Sequence, residues 1–194
     1  NIEKCSIEKV IATTWTMEDY DKSNPKFKNK NEFKSYKISK DLSLIDIREL
    51  KSNYLRVWYQ SPDPLYRWVV DMDLLKLDYS ILSYMIDFKD GSDSLYSRIY
   101  RSEKGKLDSS SLQDIKYNIK LHDVINLKVD PGLILMGYGN TFIIESMWEG
   151  KYSYEHLQRT EFGYEVSKPL LLFVDFLIKK FSLPSLGANP CVKD

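Results

Sequence analysis

The sequence predicts an α+β fold in which an antiparallel β-meander sheet carries one N-terminal and one C-terminal helix packed on it. The middle of the chain alternates apolar and polar residues with a period of two, which is typical of half-buried strands. Asp90-Gly91 stands between two of these runs and predicts a tight hairpin, because such a turn needs positive φ angles. Near the C-terminus the apolar residues recur instead with the period of an amphipathic helix.

The length of 194 residues predicts a single domain, 1–194, since a domain typically takes about 100 to 200 residues. Within it we expect an N-terminal helix and basic loop at 1–35, the antiparallel sheet at 36–144 and a C-terminal helical extension at 145–194. The hydrophobic fraction of 43% supplies apolar surface for a folded chain rather than a disordered one.

The N-terminal segment begins with a helical spacing of apolar residues at Ile7, Val10, Ile11 and Trp15, which predicts a short helix within 3–20. The stretch from 22 to 40 then holds seven lysines and one acid. Its asparagines and its proline predict an exposed loop. The alternative is a segment that contacts an anionic surface.

Strands are predicted from 35 onward. Their ranges are Ser35–Leu50, Tyr54–Tyr59, Leu65–Met72, Leu82–Phe88 and Leu95–Tyr100, with prolines at 62 and 64 ending the second and a turn expected at Ser102–Lys106. Such a meander can leave one face in contact with water.

The second half of the chain contains one ambiguous segment and one clear helix. Residues 108–127 fit either a helix capped by Ser109–Ser111 or a strand. A turn is expected at Asp130–Gly132, followed by a hairpin of Leu133–Met136 with Thr141–Ile144. Ser167 and Pro169 predict the start of the C-terminal helix, whose apolar side carries Leu171, Val174, Ile178 and Phe181.

The two cysteines, Cys5 and Cys191, lie close to opposite ends of the chain. Because domain termini are commonly near each other, we predict a disulfide between them, the alternative being two free thiols in a cytosolic protein. A disulfide places the protein in an extracytoplasmic compartment: periplasm, cell surface or exterior. Asn1 fits a chain whose signal peptide has been removed, or one trimmed for expression. We expect no transmembrane segment, since the longest apolar run, Leu170–Ile178, is too short.

Charge and motifs exclude several functions. The 28 basic and 28 acidic residues balance, so the chain lacks the overall positive charge of a general nucleic-acid binder. No phosphate-binding loop is present, and His122 and His156 lack the spacing of metal ligands. We therefore predict no cofactor, no metal, no catalytic residues and no enzyme activity.

Aromatic residues supply the candidate binding surface. The strands carry Tyr54, Trp58, Tyr66 and Trp68, and exposed Tyr and Trp side chains are enriched in protein interfaces. We predict these four as candidates for contact with a protein partner. The alternative is that they line the core.

Five stretches follow one another in an order that is found in a known family. They are Tyr36–Leu44 (YKISKDLSL), Tyr54–Tyr59 (YLRVWY), Tyr84–Phe88 (YMIDF), Arg98–Gly105 (RIYRSEKG) and Val129–Leu133 (VDPGL). The order of these segments, over about residues 36–143, resembles the bacterial surface-adhesin protein E-like domains. The resemblance implies a small secreted protein with an antiparallel sheet and a helix, and it brings no catalytic residues. Two cysteines that the family often carries are missing here, one at Phe88 and one near Phe142.

Three functional hypotheses follow. The first is a secreted or periplasmic, non-catalytic, adhesin-like binding protein that recognises a protein partner through a sheet face. The second is an immunity or inhibitor protein that neutralises a toxin enzyme. The third is a hydrolase whose site a single sequence does not reveal.

Overall fold

The computed structural model describes residues 7–12, 26–61, 66–88, 95–127, 140–158 and 164–186. Within these ranges the chain forms one antiparallel sheet and three α-helices, which confirms the predicted α+β class. No helix in the described ranges combines the length and apolarity needed to cross a membrane. The strands are β1 (Lys9–Ala12), β2 (Tyr54–Gln60), β3 (Tyr66–Asp73), β4 (Asp78–Phe88), β5 (Leu95–Lys106), β6 (Thr141–Trp148) and β7 (Lys151–Gln158), and the helices are α1 (Lys30–Asp41), α2 (Ser109–Leu121) and α3 (Tyr164–Lys180).

The seven strands lie in the order β1-β5-β4-β3-β2-β6-β7, and every neighbouring pair is antiparallel. Strands β2 to β5 form the predicted meander. The chain then crosses through α2 to the far side of β2, where β6 and β7 pair as a hairpin. The sheet therefore extends beyond the predicted 36–144 at both ends, through β1 and β7. The expected turn at Asp90-Gly91 lies outside the described residues.

Helices cover both faces of the sheet, whereas a meander of this kind can leave one face in contact with water. On one face, α2 and α3 pack against the strands in a core that includes Val57, Val70, Ile115 and Phe173. On the opposite face, Ile38 of α1 packs with Trp58 and Val69. We call this second surface the α1 face. It carries Tyr54, Arg56, Trp58 and Gln60 of β2, Arg67, Val69, Asp71 and Asp73 of β3, and their neighbours in register.

The N-terminal predictions are largely wrong. Within the expected helix at 3–20, the structure describes residues 7–12. Of these, Lys9–Ala12 form strand β1, which pairs with β5 at the edge of the sheet. Helix α1 replaces both the C-terminal half of the predicted loop and the start of the predicted strand at Ser35. Asn29, which the sequence placed in the loop, caps the start of this helix, because its side chain accepts a hydrogen bond from the Glu32 backbone N–H at 3.0 Å. The Glu32 carboxylate in turn accepts the Lys28 backbone N–H at 2.6 Å.

Strand β5 continues through the turn that was expected at Ser102–Lys106. It does so because β4 begins early, at Asp78, and pairs with Lys106. Gly105 lies against the ring of Tyr79, where an added Cβ would come within 2.6 Å of the ring atoms. The glycine therefore permits a close approach and does not mark a turn.

The ambiguous segment after β5 is helix α2. Asp108, and not the following serines, caps it by accepting the Ser111 backbone N–H at 2.6 Å. Helix α3 begins at Tyr164, ahead of the predicted Ser167. Of the predicted apolar side, Leu171, Val174 and Phe181 are buried and Ile178 is half-buried. Thr141–Ile144 belongs to β6, which pairs with β2 and β7. The other half of its expected hairpin, Leu133–Met136, lies outside the described residues, as do Asp130–Gly132, Cys5 and Cys191.

Candidate functional site

The four predicted partner-binding aromatics are buried, so the prediction of an exposed aromatic surface is wrong. Tyr54, Trp58, Tyr66 and Trp68 are 7%, 5%, 2% and 0% exposed. Tyr54 packs in a cluster with Ile47, and Trp58 packs beneath α1. The other two belong to the core under α2 and α3. All four are covered because helices lie on both faces of the sheet and the 3₁₀ turn Ile47–Glu49 lies beside Tyr54.

The α1 face contains a buried charged row. Strand register places Asp71 and Glu145 directly opposite Arg56, one on each side. The Arg56 guanidinium donates from Nε to Asp71 Oδ1 at 2.5 Å and from Nη2 to Asp71 Oδ2 at 3.1 Å. Its Nη1 lies 3.6 Å from Glu145 Oε2 and also donates to Ser39 of α1 at 3.3 Å. Arg56 is 1% exposed, and its charge is fully compensated by this row.

Glu145 connects the row to two further side chains. Its Oε2 accepts Trp58 Nε1–H at 2.6 Å, and its Oε1 accepts the Tyr152 hydroxyl at 3.2 Å. Burial raises the pKa of Glu145, while the nearby Arg56 opposes that shift. This network therefore joins β2, β3, β6, β7 and α1 and is structural in character.

Arg67 lies on the same face of the sheet but in different surroundings. Register places the neutral residues Gln60 and Tyr84 opposite it on β2 and β4. Arg67 is 7% exposed, its Nε has no hydrogen-bond partner, and no ion pair joins it to any described carboxylate. A buried charge without a counter-charge is costly. Arg67 is thus a cation whose counter-charge the described part of the protein does not supply.

A cavity of about 70 Å³ lies between α1 and the sheet, and Arg67 is part of its wall. A water molecule needs roughly 10 to 15 Å³ of such space, so the cavity has room for several waters or one small ligand. No aspartate or glutamate is found among its described lining residues. These are Asn31, Lys34, Ser35, Ile38, Trp58, Tyr59, Gln60, Arg67, Tyr84, Thr141, Ile143, Tyr154 and His156.

Three basic side chains meet at this cavity from three different elements. Burial, together with the charge of Arg67, lowers the pKa of Lys34 on α1. Burial, together with the charge of Lys34, lowers the pKa of His156 on β7. Both shifts report a site in which additional positive charge is unfavourable. An anion placed in the cavity would relieve this repulsion.

The lowered pKa of His156 leads to a prediction about stability. Between its folded-state pKa and the ordinary value of 6.5, the unfolded chain binds more protons than the folded protein. The contribution of His156 is therefore fully present above pH 6.5, and the free energy of unfolding falls as the pH is lowered through that value. Urea denaturation between about pH 8 and about pH 5 should show a steeper loss for the wild type than for His156→Gln. Parallel curves for the two proteins would contradict the prediction.

Sequence reasoning missed Lys34 and Arg67 as site residues and considered His156 only for metal binding or catalysis. Alternation along β3 places Arg67 on the same face as Asp71, which predicts Asp71 as its counter-charge. The register instead pairs Asp71 with Arg56. An arginine within a mostly apolar strand is the sequence signal that could have identified Arg67 as a site residue. The strand pairing is needed to see that the residues opposite Arg67 on β2 and β4 are not carboxylates.

Comparison with models of known protein families and with curated proteins gives no match for this sequence. The resemblance to protein E-like domains therefore stays a prediction. In the described part of the chain, no group of three or more His, Cys, Asp or Glu side chains is arranged to hold a metal ion.

Proposed function

We propose that this protein is a non-catalytic binding protein that holds a small anionic ligand in the cavity between α1 and the sheet. The observation that carries the proposal is Arg67, a buried guanidinium in the cavity wall that pairs with no carboxylate in the described residues. Arginine is well suited to such a site, because its planar donors match the oxygen atoms of a carboxylate or a phosphate.

The contrast with Arg56 supports this proposal. Both arginines lie on adjacent strands of one face, and both are buried. Arg56 is opposed by two carboxylates, whereas Arg67 is opposed by an amide and a phenol. Because no carboxylate lies opposite Arg67 on β2 or β4, its guanidinium is placed to pair with the anionic group of a ligand.

The mouth of the cavity adds further hydrogen-bonding groups. Asn31 is exposed, and Gln60 and Thr141 are half-buried, so their side chains lie where a ligand would enter. Amides and hydroxyls both donate hydrogen bonds to anionic oxygens. A protein partner and an extracytoplasmic location stay as proposals, and the four buried aromatics are not the surface for such a partner.

Replacing Arg67 with methionine tests the proposal. In buffer containing only chloride as the anion, we expect the free energy of unfolding to rise by about 1 to 3 kcal/mol, because the substitution removes a buried charge that no described carboxylate balances. The wild type should in turn be stabilised by sodium acetate or sodium phosphate relative to sodium chloride at equal ionic strength. A ligand at 100 times its Kd adds about 2.7 kcal/mol. Arg67→Met should lose this response, as measured by urea denaturation and isothermal titration calorimetry.

Lys104→Met is the matched control. It removes the same formal charge from an exposed position on β5, away from the cavity. It should bind the anions like the wild type. The proposal fails if neither anion stabilises the wild type, or if the response to anions survives in Arg67→Met.

A further inference from the structure

We infer that the anion held by this cavity is an organic monocarboxylate with a short apolar body. This inference rests on the proposed function and adds the chemical class of the ligand. Three properties of the cavity lead to it: the number of deeply buried charges, the pattern of polar and apolar rows across the sheet, and the size of the space.

Charge is the first property. Of the basic residues in the described lining of the cavity, Arg67 is buried, while Lys34 and His156 are half-buried. The pKa values of Lys34 and His156 are both lowered, by burial first and by a neighbouring cation second. One buried guanidinium balances one negative charge. A phosphate dianion would bring a second charge for which the buried part of the site holds no matching cation.

The row of residues beside Arg67 gives the second property. Strand register puts Arg67, Gln60 and Thr141 side by side on β3, β2 and β6. Two residues further along each strand, the same face presents Val69, Trp58 and Ile143. Residues two apart on a strand are roughly 7 Å apart, so a charged and polar row lies next to an apolar row.

Helix α1 shows the same change in polarity. Lys34 is close enough to Arg67 for their charges to interact, and Ile38, one turn later, packs with Trp58 and Ile143. Both walls of the cavity therefore change from polar to apolar in the same direction. A ligand that matches them has an anionic end and an apolar end. Inorganic phosphate, which is polar on all sides, would leave the Ile38 and Trp58 side unmatched.

Size is the third property. A space of about 70 Å³ holds roughly five to seven non-hydrogen atoms, at the volume that one water occupies by the same measure. A straight or branched carboxylate of four or five carbons has this number of atoms. Acetate would leave part of the apolar wall uncovered.

The test is a series of titrations of the full chain by calorimetry at equal ionic strength. The probes are sodium acetate, propionate, butyrate and isovalerate, with inorganic phosphate and uncharged butyramide as comparisons. From acetate to butyrate the Kd should fall about fourfold for each added methylene group, which is the effect of burying it. Phosphate and butyramide should each bind about tenfold or more weakly than butyrate.

Variants separate this inference from the proposed function. Ile143→Thr keeps a branched side chain but makes the apolar wall polar, so it should flatten the chain-length series, whereas Lys104→Met should reproduce the wild-type series. Phosphate binding that depends on Arg67 and exceeds butyrate binding would overturn the monocarboxylate and leave the anion site in place. Equal Kd values for acetate and butyrate would also overturn it. Failure of every anion to bind in an Arg67-dependent way would overturn the proposed function itself.

Discussion

Replacing Arg56 with methionine is expected to lower the free energy of unfolding by about 3 to 5 kcal/mol, which is the effect of removing one partner from a buried ion pair. Asp71 and Glu145, 4% and 6% exposed, would remain buried without the guanidinium that lies between them. Ser39 and the Ile45 carbonyl would also lose hydrogen bonds from the same side chain. Urea denaturation followed by circular dichroism measures the loss.

Arg48→Met is the matched control for this prediction. Arg48 makes the same bidentate contact with an aspartate, Asp46, at 2.9 and 2.7 Å, but the pair is partly exposed to solvent. Its removal should cost only about 1 kcal/mol. Arg67→Met is expected to change stability in the opposite direction. A loss at position 56 no larger than that at position 48 would show that the charged row contributes little.

Phe173→Ala is expected to have an effect of similar size, about 3 to 5 kcal/mol, for a different reason. Phe173 is 0% exposed and lies in the core between α3 and the sheet. Truncation there removes buried apolar surface and leaves a cavity that surrounding residues fill only partly. Chemical denaturation at a fixed pH gives the difference in unfolding free energy directly.

The adjacent residue provides the comparison for Phe173. Leu172 lies on the same helix and is 47% exposed, so Leu172→Ala should change stability by about 0.5 kcal/mol or less. If both alanine variants lost the same amount, the assignment of the buried face of α3 would be wrong.

Period-two alternation was enough to predict the meander. The alternation within Tyr54–Tyr59 puts Leu55, Val57 and Tyr59 on one side of β2 and Tyr54 and Trp58 on the other, and the structure has the same division. Alternation identifies the two sides of a strand, but it does not reveal what covers each side. The prediction that the four aromatic residues form an exposed surface was wrong for that reason.

Helix α1 could not be predicted from composition because its lysines obscure a short apolar side. Its start depends on Asn29 and Glu32 acting together, and its packing depends on Phe33 and Ile38, which are buried. Asparagines favour loops and helix caps alike. Only contact with the sheet distinguishes the two in this segment.

The candidate site depends on pairings between distant parts of the chain. Arg67 becomes significant only when Gln60 and Tyr84 are known to be its neighbours, and the cavity exists only because Lys34 and His156 come to it from α1 and β7. Single-sequence patterns describe neighbours along the chain. Register between strands follows from the complete fold.

The long connection from β5 to β6 determines the order in which the strands of this sheet form during folding. Arg56 and Asp71 are 15 residues apart within one hairpin, whereas Trp58 and Glu145 are 87 residues apart. Closing the longer loop is entropically costlier and slower, so β6 and β7 should dock after the meander has formed. Until then the cavity lacks Thr141, Ile143, Tyr154 and His156, and Arg67 remains hydrated. A ligand of the cavity would therefore bind only after β6 and β7 have docked, and it would stabilise the folded protein relative to earlier states on the folding pathway.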